Sequence, residues 1–170
     1  MKILVTGAAG FIGAAVSQYL INRGDTVVGI DNINDYYDVT LKENRAERLL
    51  AHEGFTMVRA DISDREAMGQ TFARHDDIEG VIHLAAYQDY MPDFSTFYSV
   101  NTVSTALLFE LIVARALPVQ KIVSASSQSV YGEGRYECAA CGQIHPPARP
   151  EEQLARGDWE VRCPSCGTVA

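Results

Sequence analysis

Long apolar runs and basic charge are both scarce in this sequence. No uninterrupted apolar run in the 170 residues approaches the roughly 18–20 that a membrane-spanning helix needs. The longest candidate, Ala106 to Leu117, is interrupted by Glu110 and Arg115. The sequence has only 14 Lys and Arg but 22 Asp and Glu, which gives a formal net charge of -8. Because nucleic acids and anionic membranes bind basic surfaces, we expect a soluble protein with neither kind of partner.

Cysteine is absent from the first 137 residues, and a chain with 47% hydrophobic residues can bury a core without disulfides. The N-terminal apolar stretch could imitate a signal peptide, but Gly7, Gly10 and Gly13 interrupt it. The four cysteines form two C-x-x-C pairs, which are more typical of metal ligands in a reducing compartment than of disulfides. We therefore expect a cytoplasmic protein.

Val- and Ile-rich runs alternate with longer helical patterns, which is typical of βαβ units and a doubly wound parallel α/β sheet. The predicted strands are Lys2 to Thr6, Thr26 to Asp31, Phe55 to Ala60, Gly80 to Ala85 and Val119 to Ala125. The predicted helices are Phe11 to Arg23, about Thr40 to His52, a helix capped by Ser63-Asp64 that runs to Arg74, and Phe94 to Ala116.

The composition changes after Tyr131. Residues 132–170 hold five of the 13 glycines, four of the six prolines and all four cysteines. We expect two domains, 1–132 and 133–170. Two knuckles, Cys138-Ala-Ala-Cys141-Gly and Cys163-Pro-Ser-Cys166-Gly, have the spacing of a zinc-ribbon-like module with four thiolates around a structural zinc ion. Four cysteines suffice as ligands, so His145 is left out of the predicted site, and a redox role for either pair is the weaker interpretation.

A glycine-rich turn, Thr6-Gly-x-x-Gly-x-x-Gly13, joins the first predicted strand to the first helix. In a Rossmann-type sheet these glycines allow the tight turn and the close approach of a pyrophosphate to the helix N-terminus. Asp31 ends the second strand, where a carboxylate can accept hydrogen bonds from ribose hydroxyls and repel a 2′-phosphate. No Lys or Arg occurs between Arg23 and Lys42, so we expect NAD rather than NADP.

Further polar side chains end the later strands, at the edge where such sheets bind ligands. His83 ends the fourth strand; it is either a hydrogen-bonded core histidine or a group facing the crevice. The serines that follow the fifth strand either bond their own backbone or offer a hydroxyl to a substrate oxygen.

The combination of motifs resembles the extended short-chain dehydrogenase/reductase family, in particular its NAD-dependent sugar-nucleotide epimerases and dehydratases. The resemblance covers about residues 1–132 and rests on the glycine turn, Asp31-Asn32, Asp61-Ile62, His83-x-Ala-Ala86, Asn101 and Ser126-Ser127-x-x-Val-Tyr-Gly132. Asp31-Asn-Ile-Asn-Asp-Tyr-Tyr-Asp38 is similar to UDP-glucuronate 4-epimerases. The serine segment and the cysteine insert are more similar to dTDP-L-rhamnose 4-epimerases.

The resemblance implies a site for each part of NAD and a nucleotide-sugar substrate. It assigns Gly7, Gly10, Phe11, Ile12 and Gly13 to the pyrophosphate, Asp31 and Asn32 to the adenosine ribose, Asp61 and Ile62 to the adenine, and Leu84, Ala85, Ala86 and Asn101 to the nicotinamide side. Ser127 matches the catalytic Ser/Thr of the family, with Ser126 beside it. A homodimer of the full-length form is compatible with the resemblance.

The family's Tyr-x-x-x-Lys pair is missing from these 170 residues. The sequence has three lysines, and the residues four places before Lys42 and Lys121 are Asp38 and Leu117. Tyr131 is followed four places later by Arg135, whose fixed charge is a poor substitute. We therefore expect the N-terminal part of a nucleotide-sugar 4-epimerase, inactive by itself. The alternative is a non-catalytic NAD-binding module whose zinc ribbon contacts a protein partner.

Overall fold

A computed structural model describes residues 1–89 and 91–170 of the chain. It divides into two compact units, Met1–Ala125 and Ser126–Ala170. The sequence predicted the boundary after Gly132. Residues 126–132 fall instead in the second unit, because the bonds described for them are local ones, such as those from Val130 N to Ser127 O and from Gly132 N to Ser129 O.

The first unit is a parallel sheet of five strands in the order β3-β2-β1-β4-β5. This confirms the predicted parallel α/β architecture. The strands are β1 (Lys2–Thr6), β2 (Thr26–Asp31), β3 (Phe55–Arg59), β4 (Gly80–His83) and β5 (Lys121–Ser124). The helices are α1 (Phe11–Asn22), α2 (Val39–Leu50), α3 (Arg65–Arg74), α4 (Phe94–Phe97) and α5 (Ser104–Ala114), with a π-helical stretch, Tyr98–Val103, between the last two.

Apolar side chains alternate between the two faces of the sheet, so each face has its own core. Residues Leu4, Val28 and Ile30 belong to a cluster that includes Phe72 of α3 and Leu108 of α5. The second cluster combines side chains from β1, β2 and β3 with side chains from α1 and α2, and consists of Ile3, Val5, Ala8, Leu20, Val27, Leu49 and Phe55. This arrangement leaves the carboxyl ends of the strands uncovered by either helical layer.

Strand β4 ends at His83, two residues before the predicted end. The register explains this difference, because Thr6 at the end of β1 pairs with His83, which pairs with Ser124 at the end of β5. Gly7 turns away from β1 with a φ of 72°, so the neighbouring strands have no ladder partner beyond this level. The three strand ends therefore lie at one edge.

The continuous helical segment Phe94–Ala114 corrects one expectation from the sequence. It has 21 residues, and 18 consecutive residues within it have a mean hydropathy of 1.5, so by length and composition it could cross a membrane. The sequence count missed it because the Ser, Thr and Asn residues of its first half break an apolar run without adding charge. Core helices of water-soluble proteins can be equally long and apolar. Leu107 and Leu108 of α5 are buried in the first core.

The second unit contains short elements only. A 3-10 helix, Gln128–Tyr131, is followed by an antiparallel hairpin of β6 (Tyr136–Cys138) and β7 (Gly142–Ile144) and by α6 (Glu151–Ala155). Three-residue strands are too short to show an alternating pattern, so this hairpin could not be predicted from the sequence. Its small core includes Cys138, Ile144 and Cys163.

Candidate functional site

A cavity of about 530 Å³ lies at the carboxyl ends of the strands in the first unit. The strand order reverses between β1 and β4, and open α/β sheets bind ligands at such a switch point. The residues that the sequence assigned to a cofactor line the cavity, with the exception of Asn101: Gly7, Gly10, Phe11, Ile12, Gly13, Asp31, Asn32, Asp61, Ile62, Leu84, Ala85 and Ala86. The fold thus brings together residues that are up to 79 positions apart in the chain.

The glycine turn places backbone at the floor of this cavity. The Gly7 N–H donates to Ile30 O over 2.7 Å, and the Gly10 N–H donates to Gly7 O over 3.0 Å. A Cβ atom on Gly7 would stand 3.0 Å from Ala85 N, so only glycine fits against the segment that follows β4. Helix α1 begins at Phe11 without a side-chain cap. The N–H groups of its first turn are therefore left for an anion.

Asp31 connects the glycine turn to the loop that follows β2. Its carboxylate accepts hydrogen bonds from Ala9 N over 3.0 Å and from Ile33 N over 2.8 Å. The side chain is only 8% exposed. Each carboxylate oxygen can accept more than one hydrogen bond, so the group holds the loop and still offers acceptor capacity to a ligand.

Asn32 and Asp61 form one side of the cavity together. The Asn32 amide donates to Asp61 Oδ2 over 2.8 Å, and Ser63 donates to Asp61 Oδ1 through both its backbone N–H and its hydroxyl. Burial acts to raise the pKa of Asp61, but the hydrogen bonds from Ser63 and Asn32 outweigh it and hold that pKa below the ordinary value. Asp61 is therefore an anionic acceptor in the folded protein.

His83 is a hydrogen-bonded core histidine beneath the cavity. Thr6 Oγ1 accepts hydrogen bonds from Leu84 N and Ala85 N, so its hydroxyl proton is available to His83 Nδ1 at 2.7 Å. His83 Nε2 then carries the ring proton and donates it to Thr105 Oγ1 at 3.1 Å. Burial lowers the pKa of His83. The neutral ring links β1, β4 and α5 and does not line the cavity.

Asn101 lies in the π-helical stretch and does not line the cavity. Its amide donates to Tyr87 O over 2.8 Å and accepts from Tyr87 N over 2.7 Å. The two bonds fix the loop after β4, which does contribute to the cavity wall. In this structure Asn101 is thus a positioning residue for that loop.

The sequence missed several cavity residues, of which Lys42 is chemically the most notable. The Lys42 ammonium donates to the backbone oxygen and to the side-chain oxygen of Asn34 and lies 4.5 Å from the centre of the Tyr37 ring. Burial lowers the pKa of Lys42. The sequence could have indicated this residue, because Lys42, Ala46 and Leu49 have the spacing of one buried helix face. A charged side chain on such a face is unusual. The other missed residues are Ile30, Asn34, Tyr36, Tyr37, Ala60, Tyr87, Gln88, Thr96, Val100 and Ala125.

The two candidate serines lie in the second unit and are exposed. Ser127 precedes the 3-10 helix, and its hydroxyl accepts a hydrogen bond from Ser129 N over 3.1 Å. The interpretation that these hydroxyls bond their own backbone therefore holds for Ser127 in this structure.

The four cysteines converge in the second unit. Their Sγ atoms all lie within 4.8 Å of one another, with Cys138 and Cys163 buried and Cys141 and Cys166 exposed. The Thr168 hydroxyl lies 3.5 Å from the Cys138 sulfur, and together with backbone N–H groups it lowers the pKa of Cys138 to about 6. His145 is exposed and lies outside the cluster. Four soft donors at these separations can enclose one metal ion.

A family model described as "NAD dependent epimerase/dehydratase family" matches residues 3–151. The chain belongs to this family. The match extends past Gly132, where the sequence resemblance was expected to end, and into the cysteine-containing segment.

Two curated relatives and one solved structure illustrate the similarity. The chain is 39% identical over 131 residues to the UDP-glucuronate 4-epimerase of Thermodesulfobacterium geofontis, covering 75% of this chain and 40% of the relative. It is 34% identical over 162 residues to the dTDP-L-rhamnose 4-epimerase of Burkholderia thailandensis, covering 94% and 43%. It also aligns with the Bacillus cereus UDP-glucuronic acid 4-epimerase solved with UDP-glucuronic acid and NAD, with 32% identity, a TM-score of 0.69 and coverage of 86% and 46%. The chain thus spans less than half the length of these proteins.

Proposed function

We propose that this chain is the NAD-binding portion of a nucleotide-sugar 4-epimerase. The observation that carries the proposal is the cavity at the switch point, where the glycine turn, the free first turn of α1 and the Asp31 carboxylate face one space. The relatives named as 4-epimerases of UDP-glucuronate and dTDP-L-rhamnose support the reaction type. None of these comparisons supports the alternative of a non-catalytic module that contacts a protein partner.

The residues of this chain act by holding and orienting the dinucleotide. The N–H groups at the start of α1 bind the pyrophosphate, since they combine free donors with the positive end of the helix dipole. Asp31 accepts from the adenosine ribose, and Asp61 and Ile62 border the adenine. When bound, NAD would take a hydride from carbon 4 of the sugar and return it to the opposite face. The 170 residues supply binding, while the tyrosine–lysine pair that moves the hydroxyl proton is not among them.

Calorimetric titration of the 170-residue chain with NAD tests the binding step. We expect saturable binding of NAD and much weaker binding of NADP, because Asp31 repels a 2′-phosphate. Asp31→Asn should weaken NAD binding about 10-fold or more, since a hydrogen bond to a charged group is lost. Asp76→Asn is the matched control, because Asp76 is exposed and does not line the cavity. Absence of NAD binding by the folded wild-type chain would overturn the proposal.

The catalytic part of the proposal is tested on the native protein. An antibody to residues 1–130 should capture from the source cells a product heavier than 18.6 kDa that carries a Tyr-x-x-x-Lys peptide. With NAD, that product should interconvert a nucleotide sugar and its 4-epimer. A native product of 18.6 kDa without this activity would refute the epimerase assignment and leave NAD binding to be judged by calorimetry.

We also propose that the four cysteines bind a structural zinc ion. With Zn–S bonds of about 2.3 Å, a tetrahedron places its sulfurs about 3.8 Å apart. The observed Cys138–Cys166 Sγ distance of 3.6 Å and the limit of 4.8 Å for the cluster fit this requirement. Four thiolates leave no open coordination position, so Zn²⁺ would stabilise the second unit without taking part in chemistry. Free cysteines of this kind accord with the proposed cytoplasmic location.

Metal analysis of the purified chain tests the zinc proposal. We expect one zinc per chain in the wild type, loss of zinc in Cys163→Ser, and retention in His145→Ala, whose imidazole lies outside the cluster. Trp159 is the sole tryptophan and lies in the second unit, so a change in its fluorescence on chelation reports unfolding there. A chain that is fully folded and free of metal would contradict the proposal.

A further inference from the structure

One hydroxyl group in the second unit lies between two of the clustered cysteines. Thr168 Oγ1 is 3.1 Å from the Cys166 sulfur and 3.5 Å from the Cys138 sulfur, and the two sulfurs are 3.6 Å apart. Cys138 belongs to the first C-x-x-C pair and Cys166 to the second. A side chain outside the proposed ligand set therefore contacts both halves of the metal site.

The backbone around the second C-x-x-C pair holds Thr168 at this position. The Cys163 N–H donates to Thr168 O over 2.8 Å, and the Gly167 N–H donates to Cys163 O over 2.8 Å. Gly167 adopts a φ of 75°, which lets the chain turn back toward Cys163. Beside this turn, Arg162 and Val169 form an antiparallel bridge. The hydroxyl is thus carried by a turn that backbone hydrogen bonds close.

A metal-bound cysteine sulfur can only accept a hydrogen bond from this hydroxyl. Metal binding removes the thiol protons, so the Thr168 hydroxyl is the donor in both contacts. Four thiolates also bring two more negative charges than one divalent ion neutralises. The second unit contains no lysine, and two of its arginines, Arg149 and Arg162, are already paired with carboxylates. A neutral donor at the sulfurs therefore offsets part of the excess negative charge.

We propose that Thr168 is a positioning residue of the metal site, whose hydroxyl donates a hydrogen bond to the Cys166 sulfur and contacts the Cys138 sulfur, so that one ligand of each C-x-x-C pair stays in place around the ion. This inference rests on the proposed zinc site. Cys166 is exposed, and an exposed thiolate is open to displacement by solvent. A donor that stabilises its negative charge should keep it on the metal.

Zinc affinity, measured by competition with a coloured chelator, tests the contribution of the hydroxyl. Thr168→Val removes the hydroxyl at almost unchanged volume and should weaken zinc binding about 10-fold or more. Thr168→Ser keeps the hydroxyl and should bind zinc within about threefold of the wild type. Ser165→Ala is the matched control, because it removes an exposed hydroxyl between Cys163 and Cys166, and it should leave the affinity within about twofold.

Cobalt, used as a coloured replacement for zinc, shows whether the hydroxyl acts on the sulfur itself. A hydrogen bond stabilises the sulfur lone pairs, so charge transfer from sulfur to Co²⁺ requires more energy. In Thr168→Val this absorption should shift to longer wavelength, while the ligand-field bands of tetrahedral Co²⁺ stay in place. Thr168→Ser and Ser165→Ala should keep the wild-type spectrum. A charge-transfer absorption that does not move in Thr168→Val would attribute any loss of affinity to packing and overturn the proposal.

The conservative variant decides the result if Thr168→Val fails to fold. Loss of metal in Thr168→Val with retention in Thr168→Ser supports the hydrogen bond. If both variants lose zinc to the same extent, or if neither does, the hydroxyl has no such role and the inference is wrong. A folded wild-type chain that binds no zinc refutes the proposed zinc site and this inference with it, whereas unchanged zinc affinity in Thr168→Val refutes this inference only.

Discussion

Gly13 and Gly69 both lie inside helices, yet the structure predicts opposite effects when each is replaced by alanine. A methyl group on Gly13 would overlap the carbonyl oxygen of Gly7 and stand 2.7 Å from its carbonyl carbon and 3.0 Å from the Cα of Ala8. A methyl group on Gly69 would meet only the end of the flexible Arg115 side chain, at 3.6 Å. The chemical change is the same in the two helices.

The magnitudes follow from these contacts. In Gly69→Ala the reduced freedom of the unfolded chain and the better helix propensity should raise the free energy of unfolding by about 0.5–1 kcal/mol. In Gly13→Ala the same gain is outweighed, because the start of α1 must move away from the glycine turn. Overpacking of this kind costs about 1–3 kcal/mol. The displaced backbone is the segment that carries the N–H groups of the proposed pyrophosphate site, so NAD binding should weaken as well.

Urea unfolding followed by far-UV circular dichroism measures the first unit, which holds most of the helical residues. Trp159 fluorescence follows the second unit in the same samples and should not change in either variant. Calorimetry with NAD completes the comparison. If Gly13→Ala were as stable as the wild type and bound NAD equally well, the argument that the glycine turn is closely packed against α1 would be wrong.

Three other features give outcomes that stability measurements can check. Burial lowers the pKa of His83 below its usual 6.5, so the unfolded chain binds more protons there as the pH falls. The free energy of unfolding should thus decline below about pH 6.5, and less steeply in His83→Gln. Asp64→Ala removes the acceptor for two N–H groups at the start of α3 and should cost about 1 kcal/mol, most of which Asp64→Asn should restore. Asn101→Ala should cost about 1 kcal/mol in urea unfolding, and weaken NAD binding, because both bonds to the Tyr87 backbone are lost. An unchanged pH dependence in His83→Gln, or unchanged stability in Asp64→Ala or Asn101→Ala, would contradict the corresponding contact.

The glycine turn and Asp31 could be predicted from the sequence because their requirements are local. A strand that turns into a helix over a few residues needs a positive φ at Gly7 and a close approach of the backbone at Gly13. Only glycine permits either. Asp31 ends a strand that pairs directly with β1, so the topology alone placed it near the turn. The hydrophobic periods of the strands and helices are local in the same sense, and they predicted the sheet.

Other features depended on contacts between distant parts of the chain. From the sequence, His83 could be interpreted as a core histidine or as a group facing the crevice. Only its hydrogen bonds to Thr6 and Thr105 identify it as a neutral core residue. Asn101 was assigned to the cofactor, whereas its amide holds the Tyr87 backbone. In the second unit, the spacing of the cysteines predicted a metal site, and the convergence of their sulfurs required the hairpin of β6 and β7.

Lys42 shows most clearly what the tertiary structure decided. In the sequence it marks the end of a stretch without basic residues, and that stretch favours NAD over NADP. The fold turns α2 back over the loop after β2, which places the ammonium on Asn34 and in the cavity that Asp31 also lines. The sequence by itself determined the sheet, the phosphate turn and the acceptor at the end of β2, because backbone geometry and periodicity are local. That a lysine of α2 lines the same cavity was decided by the packing of a helix against a loop.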